Sequence, residues 1–205
     1  MREQYSHAFN LMINEGFFAD KVVIVEGPSE QYALPIYADC LKYDLNRRNV
    51  SVVHSDGKGQ MDRLLRVFNG FNIPTYLWFD GDKGNEDKAV TDKTLELLEL
   101  LGERVEKIED VKTKTSDRYT ILEYTLEELL KEELADYEEL SQQAAKALGP
   151  SGKPLKHRFV AEQLRRRVTE GKPVEEALPK TIIEIIESIK ASSYSGGILR
   201  KLESK

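Results

Sequence analysis

The sequence predicts an α/β fold in which a parallel sheet of about four strands lies between helices, with additional helices at the C-terminal end. Short runs of β-branched and aromatic residues recur up to about residue 122. Most of these runs are followed by a stretch in which apolar residues recur at helical spacing. Strands that alternate with helices of about 10–15 residues are typical of βαβ units, whose right-handed crossovers cover both faces of a sheet.

The elements follow in a regular order. A leading helix is predicted at 4–16, and Lys21–Val25 is a predicted strand covered on both faces because its β-branched run is continuous. Pro28 suits the first turn of a helix that extends to about residue 41. The segment 149–152 is a clear break, and 192–197 is a predicted loop before a frayed end. Further strands are predicted at 50–53, 74–79 and 119–122, and further helices at 61–68, 90–101, 126–134, 155–169 and 174–189.

Composition and charge narrow the functional classes. The net charge of −6 argues against a passive nucleic-acid coat, but it is compatible with an enzyme that handles phosphates through bound cations. The single cysteine, Cys40, rules out an intrachain disulfide and a cysteine-based zinc site. No segment approaches the ~20 apolar residues of a membrane span, and the start lacks a secretory signal. We therefore expect a cytoplasmic protein with no membrane partner.

Acidic residues follow two of the predicted strands. Glu26 comes directly after the first strand, and Glu30 lies four residues later in the first turn of the next helix. Asp80 follows the third strand, and Asp82 comes two residues on, across Gly81, which allows a sharp turn. Because ligands bind beyond the carboxyl ends of parallel strands, these carboxylates are expected to share one pocket.

Carboxylates that share a pocket repel one another, raise one another's pKa and destabilise the fold unless cations neutralise them. Taken singly, each acid would be explained as a helix cap or a turn former, but the combination favours a metal site. Mg²⁺ prefers oxygen ligands, and two ions about 4 Å apart clamp the attacking and leaving oxygens of a phosphodiester displacement. The pattern therefore predicts one or two divalent ions, Mg²⁺ or Mn²⁺, and no organic cofactor.

Basic residues offer contacts to phosphate. Lys58 lies between two glycines after the second strand, and either contacts a phosphate or braces the carboxylates. Arg158, Arg165 and Arg166 fall near one side of a predicted helix, which suits either a phosphate-tracking stripe or a solvated face. His54 ends the second strand, where it would orient a water or, more simply, be a packed or exposed histidine.

The motifs at the strand ends resemble those of the Toprim family, the metal-binding fold of topoisomerases, bacterial primases and certain nucleases. They are Val-Val-Ile-Val-Glu-Gly at 22–27 and Leu-Trp-Phe-Asp-Gly-Asp at 77–82. The strings at 25–30, 55–60 and 79–83 are similar, more narrowly, to the Toprim region of the OLD (overcoming lysogenization defect) nucleases. The resemblance extends over about 17–101 and is weaker beyond.

The resemblance implies a metal-dependent endonuclease that hydrolyses DNA phosphodiester bonds with two bound ions. The family's acid after the fourth strand is matched first by Glu123 and second by Glu127. Its downstream catalytic lysine is matched first by Lys153 and second by Lys156, and either would neutralise charge on the scissile phosphate. The resemblance also identifies as metal ligands the acids at the strand ends, Glu26, Glu30, Asp80 and Asp82.

In the OLD family the Toprim region follows an ABC-type ATPase, whereas this chain has no Gly-x-x-x-x-Gly-Lys-Ser/Thr loop. The resemblance therefore implies that 1–16 is a leading helix at the junction to an ATPase region. It makes 17–133 the Toprim catalytic core and 134–205 a helical C-terminal extension. Any oligomer is expected to assemble through the ATPase region.

Two other functions stay open at this point. Asp80 as nucleophile and Asp82 as acid would suit a phosphatase of the haloacid-dehalogenase type, although its Asp-x-Asp motif usually follows the first strand. Some Toprim domains bind metal or partners without cutting, as in recombination mediators. Nicking of plasmid DNA, measured beside hydrolysis of small phosphate esters, distinguishes the three functions.

Overall fold

The protein forms an α/β fold built on one sheet of five strands, in a computed structural model that describes residues 11–149 and 152–192. The strands are β1 (Lys21–Val25), β2 (Val50–His54), β3 (Thr75–Asp80), β4 (Lys114–Thr115) and β5 (Tyr119–Leu122). Their order across the sheet is β2-β1-β3-β5-β4, and β4 alone pairs antiparallel within the described sheet. The predicted fold class is therefore confirmed.

Helices lie on both faces of this sheet. In the described part of the chain they are α1 (Leu11–Gly16), α2 (Pro28–Cys40), α3 (Lys58–Gly70), α4 (Lys88–Leu100), α5 (Leu126–Glu133), α6 (Tyr137–Leu148), α7 (Lys153–Thr169), α8 (Val174–Ala177) and α9 (Lys180–Ala191). A single 3-10 turn, Ile108–Asp110, precedes β4. The predicted leading helix is described from Leu11, and its first seven residues lie outside the described part, as does most of the predicted loop at 192–197.

Three local predictions needed correction. The edge strand β4 was not predicted, because two polar residues carry no periodic signal. The helix α6 was also missed, although buried Tyr137, Leu140 and Ala144 give it an apolar face. The single helix predicted at 174–189 is wrong: it breaks before Pro179, because a residue that precedes proline is biased to extended backbone.

Alternate residues of each strand supply two separate cores. On one face Val23, Val25 and Trp78 pack with α2 and with helices from the C-terminal third of the chain. On the other face Ile24 and Phe79 pack with α3 and α4. The helices after residue 134 thus share a core with the sheet, while the predicted domain boundary at residue 133 stays a prediction.

No helix among residues 11–149 and 152–192 has the length and apolar character needed to cross a membrane.

Candidate metal centre

The carboxyl ends of β1 and β3 lie side by side, with Val25 in register with Trp78. Glu26 follows β1 directly, and Asp80 is the last residue of β3. The backbone N–H of Asp80 donates to Glu26 Oε2 at 3.3 Å, so the two acids are held at the same edge of the sheet. Burial, followed by the charge of Asp82, raises the pKa of Glu26, while Lys58 opposes the rise.

Lys58 inserts a positive charge between the two acidic motifs. It is the first residue of α3, which begins three residues before the predicted helix at 61–68. Lys58 follows Gly57, whose φ of 109° suits glycine. Its ammonium contacts Asp82 Oδ2 and lies 3.1 Å from Glu26 Oε2. Burial lowers the pKa of Lys58, but the two acids outweigh burial and leave the pKa above its ordinary value. Lys58 therefore stays charged and braces the carboxylates.

Glu30 is the most enclosed of the acids, with 7% of its surface exposed. It is the third residue of α2, and its Oε2 accepts a hydrogen bond of 3.0 Å from the N–H of Gly27 at the helix start. Burial, with a smaller contribution from the charge of Glu26, raises the pKa of Glu30 to about 7. Burial therefore makes the ionised form of this carboxyl group costly in the absence of a cation.

Asp80 is connected to the fourth parallel strand and the helix after it. Its Oδ1 accepts the N–H of Leu126, the first residue of α5, at 3.1 Å. Burial raises the pKa of Asp80 well above its ordinary value, and the charges of Glu30 and Glu26 add to the effect. The raised pKa of Asp80 thus depends on its acidic neighbours as well as on burial.

The glycine between the two aspartates is required by a close approach of two chain segments. A Cβ at Gly81 would lie 2.3 Å from the carbonyl oxygen of Leu122 and 2.7 Å from that of Glu123. Asp82 follows with a φ of 53°, a left-handed conformation that aspartate tolerates better than most residues. The turn brings Asp82 into contact with Lys58. Together Glu26, Glu30, Asp80 and Asp82 form the acidic cluster.

The donor set of the acidic cluster suits a hard divalent cation, because it consists of carboxylate oxygens. Raised pKa values at Glu26, Glu30 and Asp80 mean that the anionic forms are costly here, and a bound cation would remove that cost. Within the described ranges, no three acidic, histidine or cysteine side chains are already grouped as a metal cage. Lys58 instead balances part of the negative charge.

Glu123, the first match for a further acid, is directed to other partners. Its carboxylate pairs with Lys83 and, at 3.0 Å, with Lys112, and these hydrogen bonds lower its pKa. Its position after β5 agrees with the prediction, but it shares no contact with Lys58 that would join it to the acidic cluster in the described structure. Its role as a metal ligand stays a prediction.

Glu127, the second match, lies among lysines at the start of α5. Its carboxylate oxygens lie 3.7 Å from Lys153 Nζ, 3.7 Å from Lys156 Nζ and 3.6 Å from Lys131 Nζ. Burial opposes the shift, but these lysines together lower the pKa of Glu127. The fold therefore brings both predicted lysines to Glu127. This residue follows Leu126, whose N–H donates to Asp80.

The two predicted lysines differ in how firmly they are held. Lys153 is the first residue of α7, and 78% of its side chain is exposed. Lys156 is 27% exposed, and its ammonium lies 5.8 Å from the ring centroid of Tyr137. The structure thus holds Lys156, the second choice from sequence, more firmly than Lys153.

The remaining candidate residues are His54 and three arginines of α7. His54 Nδ1 lies 2.6 Å from Gln31 Oε1, and His54 Nε2 lies 3.1 Å from Asp56, so this histidine is a packed one. Along α7, Arg158 is exposed, whereas the other two arginines of the predicted stripe pair with acids. Those pairs are Arg165 with Glu162 and Asp39, and Arg166 with Glu170.

Two contacts near the acidic cluster were not predicted. Lys83, next to Asp82, binds Glu123, and the N–H of Leu126 binds Asp80. The position of Lys83 beside the Asp-x-Asp motif is a signal that sequence reasoning could have used. A backbone N–H has no such signal, because its direction depends on where α5 begins relative to β3.

Comparison with known proteins identifies a similar domain family and similar folds. Residues 17–82 match the family described as overcoming lysogenization defect protein-like, TOPRIM domain. The C-terminal region of the Xanthomonas campestris pv. campestris OLD protein is similar with a TM-score of 0.59 and 18% identity, over 93% of this chain and 99% of that one. The C-terminal region of the Burkholderia pseudomallei OLD protein is similar with a TM-score of 0.50 and 20% identity, over 84% and 98%.

No curated protein sequence matches the chain. The family match nevertheless spans Glu26, Glu30, Asp80 and Asp82, and the similar solved structures extend the agreement in fold over most of the chain. Residues 17–82 are thus similar to an OLD-like TOPRIM domain, and the fold of the chain is that of the C-terminal region of OLD proteins.

Proposed function

We propose that the chain is the catalytic part of a Mg²⁺- or Mn²⁺-dependent endonuclease that hydrolyses phosphodiester bonds of DNA. The observation that carries the proposal is the convergence of the acidic cluster around Lys58 at the carboxyl edge of the sheet. The family match supports it, since all four acids lie within residues 17–82. An ATPase region that precedes the domain, and assembly through that region, stay predictions.

The acidic cluster would hold the cations, two in this proposal, with Glu123 and Glu127 as further candidate ligands. When bound, such ions supply Lewis-acid stabilisation of the charge that develops on the phosphate oxygens. Lys58 would keep Glu26 and Asp82 in place, because its ammonium bridges them.

Glu30 is the proposed general base. Its contact with the N–H of Gly27 orients the carboxylate, and burial, which raises its pKa, makes the ionised form a stronger proton acceptor. The attacking water gives its proton to Glu30, and the water oxygen forms the new bond to phosphorus. The 3′ oxygen leaves with the electron pair of the broken bond and takes a proton from solvent.

Lys156 is the proposed contact for the scissile phosphate. It pairs with Glu127, whose neighbour Leu126 donates its N–H to Asp80, so consecutive residues of α5 connect this lysine to the acidic cluster. A lysine in this position offsets the negative charge that builds on the phosphate in the transition state. Lys153 and Arg158, both exposed, would contact phosphates farther along the strand.

The test is nicking of supercoiled plasmid with Mg²⁺ or Mn²⁺ by the wild type and by Glu26→Ala and Asp80→Ala variants. We expect nicking by the wild type and none by either variant. Asp62→Ala is the matched control, because Asp62 is an acid on α3 with 42% of its side chain exposed, and it should nick normally. Equal cleavage by the two site variants would contradict the proposal.

The same preparations separate the other two functions. Metal binding without nicking at any protein concentration would indicate a non-catalytic module. Hydrolysis of small phosphate esters that depends on Asp80, without nicking, would indicate a phosphatase.

A further inference from the structure

Tyr124 is an exposed aromatic residue beside the acidic cluster that the proposed chemistry does not use. It follows β5, and 42% of its surface is exposed. Its carbonyl oxygen accepts the N–H of Gly81 at 3.1 Å and the N–H of Asp82 at 3.4 Å. These hydrogen bonds fix the backbone of Tyr124 to the Asp-x-Asp turn, so its side chain starts beside the acidic cluster.

One lysine lies at this ring, and a second pairs with the same acid as the first. The ammonium of Lys83 lies 5.9 Å from the centroid of the Tyr124 ring, within the range of a cation–π contact. Lys83 and Lys112 share the carboxylate of Glu123, so two ammonium groups face one acid. Lys112 extends this charge into solvent, since 70% of its side chain is exposed.

Resting on the proposed function, we propose that Tyr124 stacks against an unpaired base of the DNA strand at the cleavage site, with Lys83 and Lys112 beside the adjoining phosphates. An exposed ring flanked by cations is the combination that recognises single-stranded nucleic acid, because every base has a π-face and every linkage a negative charge. Paired bases in an intact duplex are stacked on each other and offer no such face. The ligand class is therefore a single strand or a frayed end.

The position of the ring supports this assignment over a general aromatic surface. Phe18 is more exposed, at 84%, but it precedes β1 and so lies at the amino edge of the sheet. Tyr124 follows β5 and lies at the carboxyl edge, where the acids are. Phe18→Ala thus provides a control in which an equally large aromatic side chain is removed far from the site.

The experiment uses the 205-residue chain, Mg²⁺ and a phosphorothioate-linked single strand that contains 2-aminopurine, whose fluorescence is quenched by stacking. Tyr124→Ala keeps the backbone carbonyl that binds Gly81 and Asp82, and Tyr124→Phe keeps the ring. We expect Tyr124→Ala to weaken binding of the single strand by at least about fivefold and to remove the quenching. Tyr124→Phe and Phe18→Ala should both bind and quench like the wild type.

Unchanged affinity and quenching in Tyr124→Ala, or no binding of the single strand by the wild type, would overturn the stacking site. Plasmid nicking by the same preparations keeps the two proposals apart. If the wild type nicks but Tyr124→Ala binds normally, the stacking site is wrong and the nuclease stands. If the wild type does not nick but binding depends on Tyr124, the nuclease is wrong and the stacking site stands.

Discussion

Two charged clusters at the carboxyl edge of the sheet have opposite compositions. In the acidic cluster the ammonium of Lys58 pairs with two of the four carboxyl groups, those of Glu26 and Asp82, and its charge also acts on Glu30 and Asp80. In the lysine cluster, defined as Glu127 with Lys131, Lys153 and Lys156, three ammonium groups surround a single carboxylate. The two are joined through the hydrogen bond from the N–H of Leu126 to Asp80.

The pKa values follow this difference. Burial raises the pKa of Asp80, and neighbouring acids raise it further, whereas the lysines lower the pKa of Glu127 against the effect of burial. The acidic cluster thus carries an excess of negative charge, and the lysine cluster carries an excess of positive charge. A site that handles metal-bound phosphate needs both conditions within reach of one substrate, because the cation and the phosphate carry opposite charges.

The largest effect is expected from Glu30→Gln in the acidic cluster. Glutamine keeps the acceptor for the N–H of Gly27, so the fold is retained while the base and its negative charge are lost. Plasmid nicking should fall by more than about 100-fold, since even loss of a residue that supports a metal ligand costs 10–100-fold. Glu96→Gln on α4, an acid whose side chain is 62% exposed, is the control. A rate near that of wild type would exclude Glu30 from the reaction.

A second effect distinguishes the two lysines of the lysine cluster. Lys156→Ala should lower the maximal nicking rate by roughly 100-fold, the usual cost of removing one donor to developing charge. Lys153→Ala should change it little, because the Lys153 side chain is 78% exposed and its geometry is not fixed. Single-turnover cleavage of a labelled oligonucleotide measures both rates. A larger loss in Lys153→Ala would reverse the assignment.

A third effect tests whether His157, next to Lys156, adds positive charge to the lysine cluster. Burial lowers the pKa of His157 to about 4, so the ring is neutral in the folded protein at neutral pH. Because the unfolded chain binds the proton at higher pH, His157 stabilises the fold fully above about pH 6.5 and loses this contribution as pH falls through 4. The predicted change in unfolding free energy is a few kcal/mol.

Urea denaturation at pH 7 and at pH 4.5 measures this change. His157→Leu fills the same buried position without a titrating group, so its stability should depend less on pH in that window than that of the wild type. The same pH dependence in both proteins would show that another group is responsible.

The smallest effect concerns the free energy of unfolding that the acidic cluster costs the metal-free protein. Asp80→Asn retains an acceptor for the N–H of Leu126 but removes a carboxyl group that burial and its neighbours destabilise as an anion. We expect the metal-free variant to be more stable than the wild type by about 1 kcal/mol at pH 7. Thermal denaturation with and without Mg²⁺ is the measurement, and Mg²⁺ should stabilise the wild type alone. Stabilisation of both proteins by Mg²⁺ would place the ion elsewhere.

Much of the fold was predictable because its signals are local. The continuous β-branched run Lys21–Val25 is a strand with the predicted bounds, and Tyr119–Leu122 likewise. Two of the elements that the sequence did not predict correctly are either very short or interrupted by a proline. β4 is paired because it lies beside β5, and the break before Pro179 depends on the proline rather than on the apolar periodicity around it.

From the sequence alone, the acids at residues 26, 30, 80 and 82 were expected to lie at strand ends, because strand length and turn residues are encoded locally. Tertiary structure alone decided their partners. Lys58 is 32 residues from Glu26 and 24 from Asp82, and their contact depends on β2 and β3 both lying beside β1. The lysines of α7 reach Glu127 because α7 packs against α2 and α6. Long-range electrostatic contacts follow from packing geometry, which no short stretch of sequence contains.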